Sequence, residues 1–145
     1  MEIRKAGPLD ISALVHLLVD MHNNAEVPLS PIHSEKLIAK VNQVIHKGVV
    51  FVAMKENVLL GSIGGMVVSD WWAENNYLSD LWLYVSPDHR KSSAGVMLIK
   101  NFKKVGNDSK IPVRLGHVFS GDVDRKDKWF NSLGFKKVGS VFVEV

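Results

Sequence analysis

The 145 residues contain no cysteine. That excludes disulfides, thiolate metal sites and a cysteine nucleophile, and it fits a reducing, cytoplasmic compartment. No apolar run approaches the ~18 residues of a membrane helix, so no membrane partner is expected. The opening residues, Met-Glu-Ile-Arg-Lys-Ala, hold no apolar signal-peptide core. Concentrated charge is missing too. Eighteen Lys and Arg stand against fifteen Asp and Glu, a net charge of +3. The basic residues gather only in pairs such as Lys103-Lys104 and Lys136-Lys137. A nucleic-acid surface clusters its charge, so no nucleic-acid partner is expected. A small anionic ligand is enough to account for the mild excess. The six histidines, 16, 22, 33, 46, 89 and 117, are dispersed and show no HExxH-type spacing, so no metal site is expected.

What is present is a domain of ordinary size, 46% hydrophobic and 23% charged. Repeats, linkers and low-complexity tracts are absent, which makes residues 1–145 one domain. Glu2 to Lys5 reads as a strand. Gly7-Pro8-Leu9-Asp10 breaks it, with Asp10 as N-cap of a helix whose apolar stripe is Ile11, Leu14, Val15 and Leu18. Pro28 and Pro31 interrupt a loop, and Ser34 caps a second helix with Leu37, Val41 and Val44 on one side. Gly48 ends it. Val49 to Met54 and Val58 to Val68 form a hairpin about Glu56-Asn57. Gly61, Gly64 and Gly65 in the returning strand point to a bulge or a close neighbour.

The chain is organised around Leu81 to Lys100. Leu-Trp-Leu-Tyr-Val, closed by Ser86-Pro87, suits a strand covered on both faces. A helix follows, with Leu98, Phe102 and Val105 at i, i+4, i+7. Its first turn is built of Ser92, Ser93, Ala94 and Gly95, small residues that let a ligand approach the backbone. Free N–H groups and the helix dipole make the span Lys91 to Val96 a cradle for an anion such as a phosphate. A turn at 106–110, a strand at 111–119, a helix at 124–133 ended by Gly134, and a strand at 135–145 complete the chain. The order β α α β β β α β α β describes an α/β domain of the α+β type. It has a single mixed, predominantly antiparallel sheet with helices on both faces.

This order, the run Val85-x-Pro87-x-x-Arg90 and the ending Gly134-Phe135 together resemble the GNAT superfamily of N-acetyltransferases, over essentially the whole chain. The family's acyl-CoA loop reads Arg/Gln-x-x-Gly-x-Gly/Ala. Arg90-Lys91-Ser92-Ser93-Ala94-Gly95 is similar to it, with Ser93 at the first glycine. Trp129-Phe130-Asn-Ser-Leu-Gly134-Phe135 resembles the family's Phe-Tyr-x-x-x-Gly-Phe, with Phe130 where a tyrosine often protonates the departing thiolate. Val123 and Lys126 stand where Asn and Ala are frequent. The resemblance implies acetyl-CoA as co-substrate and a primary amine, on a small molecule or a peptide, as acceptor. Transfer would proceed by direct attack in a ternary complex, and the family leaves room for a homodimer. It places the pyrophosphate on Arg90 and the backbone of Lys91 to Val96. The backbone groups of Leu83 and Val85 would hold the pantetheine arm beside a splayed strand, with Phe130 near it.

Acyl transfer from a thioester needs a free amine, a polarised carbonyl and proximity. Asp80 is the candidate base, with Glu74 and Asp70 as alternatives. Simple alternation puts Asp80, Trp82 and Tyr84 on one face and Leu81, Leu83 and Val85 on the other. Tyr84, Ser120 and His117 are candidates for the acid. Trp71 and Trp72 sit in a polar loop. Either one of them lines the acceptor pocket, Trp72 being the choice with His22 at the rim, or both plug the sheet edge. A second reading keeps the fold and CoA but loses catalysis, because of Ser93 and Phe130.

Overall fold

A tight turn sets the sheet in motion. Glu56 and Asn57 both take positive φ, 51° and 65°, the geometry that matches the twist of two antiparallel strands. It joins β2 (Val49–Lys55) to β3 (Val58–Ser69). The computed structural model describes residues 1–118 and 121–145. Phe119, at the end of the expected strand, and Ser120, a candidate acid, lie outside the described residues. Among the described residues there is one five-stranded sheet in the order β1 to β5, where β1 is Glu2–Lys5, β4 is Asn76–Val85 and β5 is Val113–Arg114. The first four strands pair antiparallel, and β5 runs parallel to β4.

Side-chain alternation divides the core in two. Val50 and Val52 face α1 (Ile11–Asn23) and α2 (Ser34–Lys47), whose Leu14, Leu18, Val41 and Val44 cover them. Phe51 and Ala53 face the opposite way. They meet Leu98, Ile99 and Phe102 of α3 (Ala94–Asp108). The helical stripe read from the sequence is therefore the buried side of α3. Beside it lies α4 (Val123–Ser132). Lys103 of α3 donates to the Leu133 carbonyl at 3.0 Å and caps the end of α4.

That end has its own logic. Gly134 takes φ +94°. Phe135 N–H returns to the Phe130 carbonyl at 3.0 Å, and Gly134 N–H bonds the Asn131 carbonyl at 3.2 Å. This is a Schellman closure, and the Phe130 and Phe135 rings, 6.2 Å apart, supply its apolar contact.

Several boundaries differ from the sequence reading. Asp10 stands at the N-cap position of α1, as expected, but its side chain makes no cap bond to that helix. A 3-10 turn over Pro8–Asp10 precedes that helix, and Asp10 accepts from Gly7 N–H at 2.7 Å and from both Arg4 guanidinium nitrogens. His33, not Ser34, caps α2, through Nδ1 to Lys36 N–H. The helix α3 runs three residues into the expected turn, to Asp108, and the bare Gly106 leaves room for Val113 and the Ile111 carbonyl to close on it. Among the described residues the expected strand 111–119 keeps two paired residues, and the expected final strand 135–145 shows no pairing. Val138, Val141, Phe142 and Val143 are exposed there.

Candidate active site

The strand β4 carries a bulge that decides which side chains share a face. Gly64 pairs with Trp82 and Gly65 with Asp80, so Leu81 is an extra residue and stands exposed. Sequence alternation across this point therefore fails. Asp80 falls on the α3 face with Leu78, Leu83 and Val85, whereas Trp82 and Tyr84 fall on the α1–α2 face. The cause is the glycine pair opposite. The Trp82 indole occupies the place of a Gly64 side chain, and Phe102 with the Ser79 carbonyl occupies that of Gly65. Trp82 Nε1–H donates to Ser62 Oγ at 3.0 Å, and Ser62 donates to the Phe51 carbonyl at 2.8 Å. The buried polar atoms beneath the bulge are thus satisfied.

Among the described residues, parallel pairing of β4 with β5 covers only Leu78–Val113 and Ser79–Arg114, and none follows past the bulge. One residue later the Asp80 side chain, not its backbone, meets the other chain, and Oδ1 accepts Gly116 N–H at 3.0 Å. On its other side β4 stays paired, down to Ser86 N–H on the Leu60 carbonyl at 2.9 Å. Backbone polar groups alternate along a strand. Those of Leu83 and Val85 therefore point into the splay. Arg90 Nε takes the Val85 carbonyl at 3.0 Å, with its guanidinium 5.4 Å from the Tyr84 ring centroid. Arg90 thus braces the strand end.

The start of α3 lies against this groove. Ala94 N–H is taken by Ser92 Oγ at 3.3 Å, and the first helical bond runs from Met97 N–H to the Ser93 carbonyl. Gly95 and Val96 N–H, in the first turn, have no intrahelical acceptor. The small residues divide by role. Ala94 is buried in the core. A side chain on Gly95 would meet the Trp129 ring at 3.2 Å, so its smallness serves packing against α4. Lys91, Ser92 and Ser93 remain exposed on the outer side. Ser92 Oγ donates to the His89 carbonyl at 2.5 Å, and Ser93 Oγ lies 3.4 Å from Met97 Sδ.

Burial pushes the Asp80 carboxyl up to about 6, and its hydrogen bonds from backbone N–H groups only partly offset that. Among the alternatives, Asp70 is committed to Arg114 at 2.8 Å, and that guanidinium stacks 3.6 Å from the Tyr77 ring centroid. Glu74 is exposed. Tyr84 is buried on the far face, where its hydroxyl accepts from Asn24 Nδ2 at 3.2 Å. His22 Nε2–H donates to the Ser30 carbonyl at 2.7 Å and ties the α1–α2 loop to α1. Trp71 and Trp72 plug nothing. They are 91% and 66% exposed and touch each other edge to face, 5.2 Å between centroids. Among the described residues no three His, Asp or Glu gather as a metal site, and no helix is long and apolar enough to cross a membrane.

The fold as a whole is matched in solved structures over nearly the whole chain. A predicted acetyltransferase from Clostridium acetobutylicum with acetyl-CoA superposes with a TM-score of 0.79 at 14% identity, covering 99% of this chain and 94% of that one. The chain has the GNAT fold. An aminoglycoside acetyltransferase, AAC(6')-Iy, in complex with the bisubstrate analogue CoA-S-monomethyl-acetylneamine, gives 0.77 at 15% identity, covering 99% and 96%. An acetyltransferase from Trypanosoma brucei gives 0.72 at 18%, covering 99% and 98%. No protein-family model and no curated protein sequence matches the chain.

Within this GNAT fold, one cluster escaped sequence reasoning as a cluster. His117 Nε2 meets Asp127 Oδ1 at 2.8 Å, and Lys137 Nζ meets Oδ2 at 3.0 Å. The His117 ring lies 5.5 Å from Phe130, which stacks on Trp129. The three residues come from three separate segments, so no local spacing could have announced them.

Proposed function

We propose that the chain is an acetyl-CoA-dependent N-acetyltransferase, acting on a primary amine of a small molecule or peptide by direct attack. The observation that carries this reading is the opening of β4 from β5 after Ser79, directly beside the small-residue start of α3. The pantetheine arm is peptide-like and would pair with the Leu83 backbone groups and the Val85 N–H that point into the splay, the Val85 carbonyl being held by Arg90. The pyrophosphate would lie on the Gly95 and Val96 N–H groups and the exposed Lys91–Ser93 backbone. Phe130 and Trp129 would wall the groove.

In the reaction, the thioester carbonyl would accept from Val85 N–H, which polarises it. Such preorganised donors and proximity contribute on the order of several kcal/mol each. Asp80, at the fork, would take the proton from the incoming amine directly or through one water. A carboxyl titrating near 6 is ionised at neutral pH yet more basic than a solvated one. Tyr84, held by Asn24 on the far face, is assigned to packing α1 on β4. Trp72, on the loop that follows β3, and His22, in the last turn of α1, would border the acceptor.

Acetyl-CoA should raise the melting temperature, as any ligand selective for the folded state does. Ser93→Trp should abolish that rise while leaving the unliganded melt alone, because the Ser93 side chain is exposed. An unchanged response in Ser93→Trp would place the nucleotide elsewhere.

A further inference from the structure

We infer that His117, oriented by Asp127, is the group that protonates the CoA thiolate as it leaves. This rests on the acetyl-CoA reading and assigns the second proton transfer of that reaction. His117 follows Gly116, whose N–H holds Asp80, so it stands on the far wall of the same splay. A ring sequence joins it to the groove floor. His117 contacts Phe130, Phe130 stacks on Trp129, and Trp129 covers Gly95 beside the Val85 methyl.

The tautomer follows from the pair. His117 and Lys137 hold the Asp127 carboxyl below the usual carboxylate range. An ionised carboxylate only accepts, so Nε2 carries the proton in that bond and Nδ1 is left for substrate. Among the described residues Nδ1 has no hydrogen-bond partner. The charged groups about His117 are Asp127 and, through it, Lys137, with Asp80 next along the wall.

The step balances. The amine nitrogen forms a bond to the carbonyl carbon and gives a proton to the Asp80 carboxylate. The carbon–sulfur bond breaks with its electron pair on sulfur. The His117 imidazolium gives its Nδ1 proton to that sulfur. One proton passing from Asp80 to His117 through solvent restores both groups.

The test uses CoA itself. The chain has no cysteine, so thiolate absorbance in the complex reports the ligand alone. An imidazolium beside the sulfur lowers a thiol's titration midpoint. Bound CoA in the wild type should titrate about one pH unit or more below bound CoA in His117→Gln, or roughly tenfold more thiolate at a given pH. Glutamine can still donate to Asp127, which favours folding of the variant. Asp127→Asn should shift the midpoint in the same direction by less. Equal midpoints in all three proteins, with CoA bound to each, would overturn the assignment. CoA that fails to stabilise even the wild type would overturn the acetyl-CoA reading as well, a result told apart from the first by the melt.

Discussion

Asp80 Oδ1 accepts Gly116 N–H at 3.0 Å at the point where β4 and β5 part. A side chain thus replaces the next rung of the ladder. The fork is held at a fixed width, and the carboxylate sits at its apex.

Burial raises the folded-state midpoint of Asp80 to about 6 from an ordinary 3.8. The folded chain then binds more protons than the unfolded chain between those values. Stability must fall as pH rises through that window, by about 2–3 kcal/mol at most. Asp80→Asn keeps an acceptor for Gly116 but removes the titration. Its stability should not show that fall, measured by denaturant melts from pH 4 to 7.

The same substitution tests the base. Wild-type turnover should rise with pH through about 6, and Asp80→Asn should lose roughly 10²–10⁴-fold in rate. A variant that keeps both its rate and the inflection near 6 would move the base elsewhere.

The account of the bulge is tested by Gly64→Ala. The Trp82 indole leaves no space for the added methyl. Overpacking of this kind costs about 1–3 kcal/mol. Urea melts should show that loss, with a shift in tryptophan emission as the ring is displaced. Unchanged stability would mean that the indole moves aside freely.

Gly134→Ala probes the closure of α4. At φ +94° an L side chain is strained, and the cost is about 1–2 kcal/mol. The variant should melt lower and loosen the Phe130–Phe135 contact.

Asp10 is held below the usual carboxylate range, first by the Arg4 guanidinium and then by Gly7 N–H. A depressed carboxyl stabilises the fold above its unfolded midpoint near 4, and that stability is lost as pH falls through the lower folded midpoint. Asp10→Ala should cost on the order of 1–2 kcal/mol at pH 7 and progressively less below pH 4.

The fold was legible where period and punctuation agree. Leu98 and Phe102 announced α3, and Glu56-Asn57 announced the hairpin. The fork was expected from the resemblance alone, because strand order says nothing of how long two strands stay paired. Alternation misplaced Asp80 for a related reason. A bulge inserts one residue, and its signal lay across the ladder in Gly64-Gly65 rather than in β4 itself. Residues 135–145 read as a strand from Val141, Phe142 and Val143, yet a strand forms only where an edge receives it. The small residues at 92–95 were legible as a pattern but not as separate roles, since Ala94 and Gly95 answer to the core and to Trp129.

The central claim is amine-dependent release of CoA. With no cysteine in the chain, a thiol-reactive dye added to the protein and acetyl-CoA sees only the product. Against a panel of small amines and amino-terminal peptides, the account predicts thiol release above the hydrolytic background for at least one class, reduced in both Asp80→Asn and His117→Gln. Binding of acetyl-CoA with no release for any amine would contradict it and leave a CoA-holding module of the same fold.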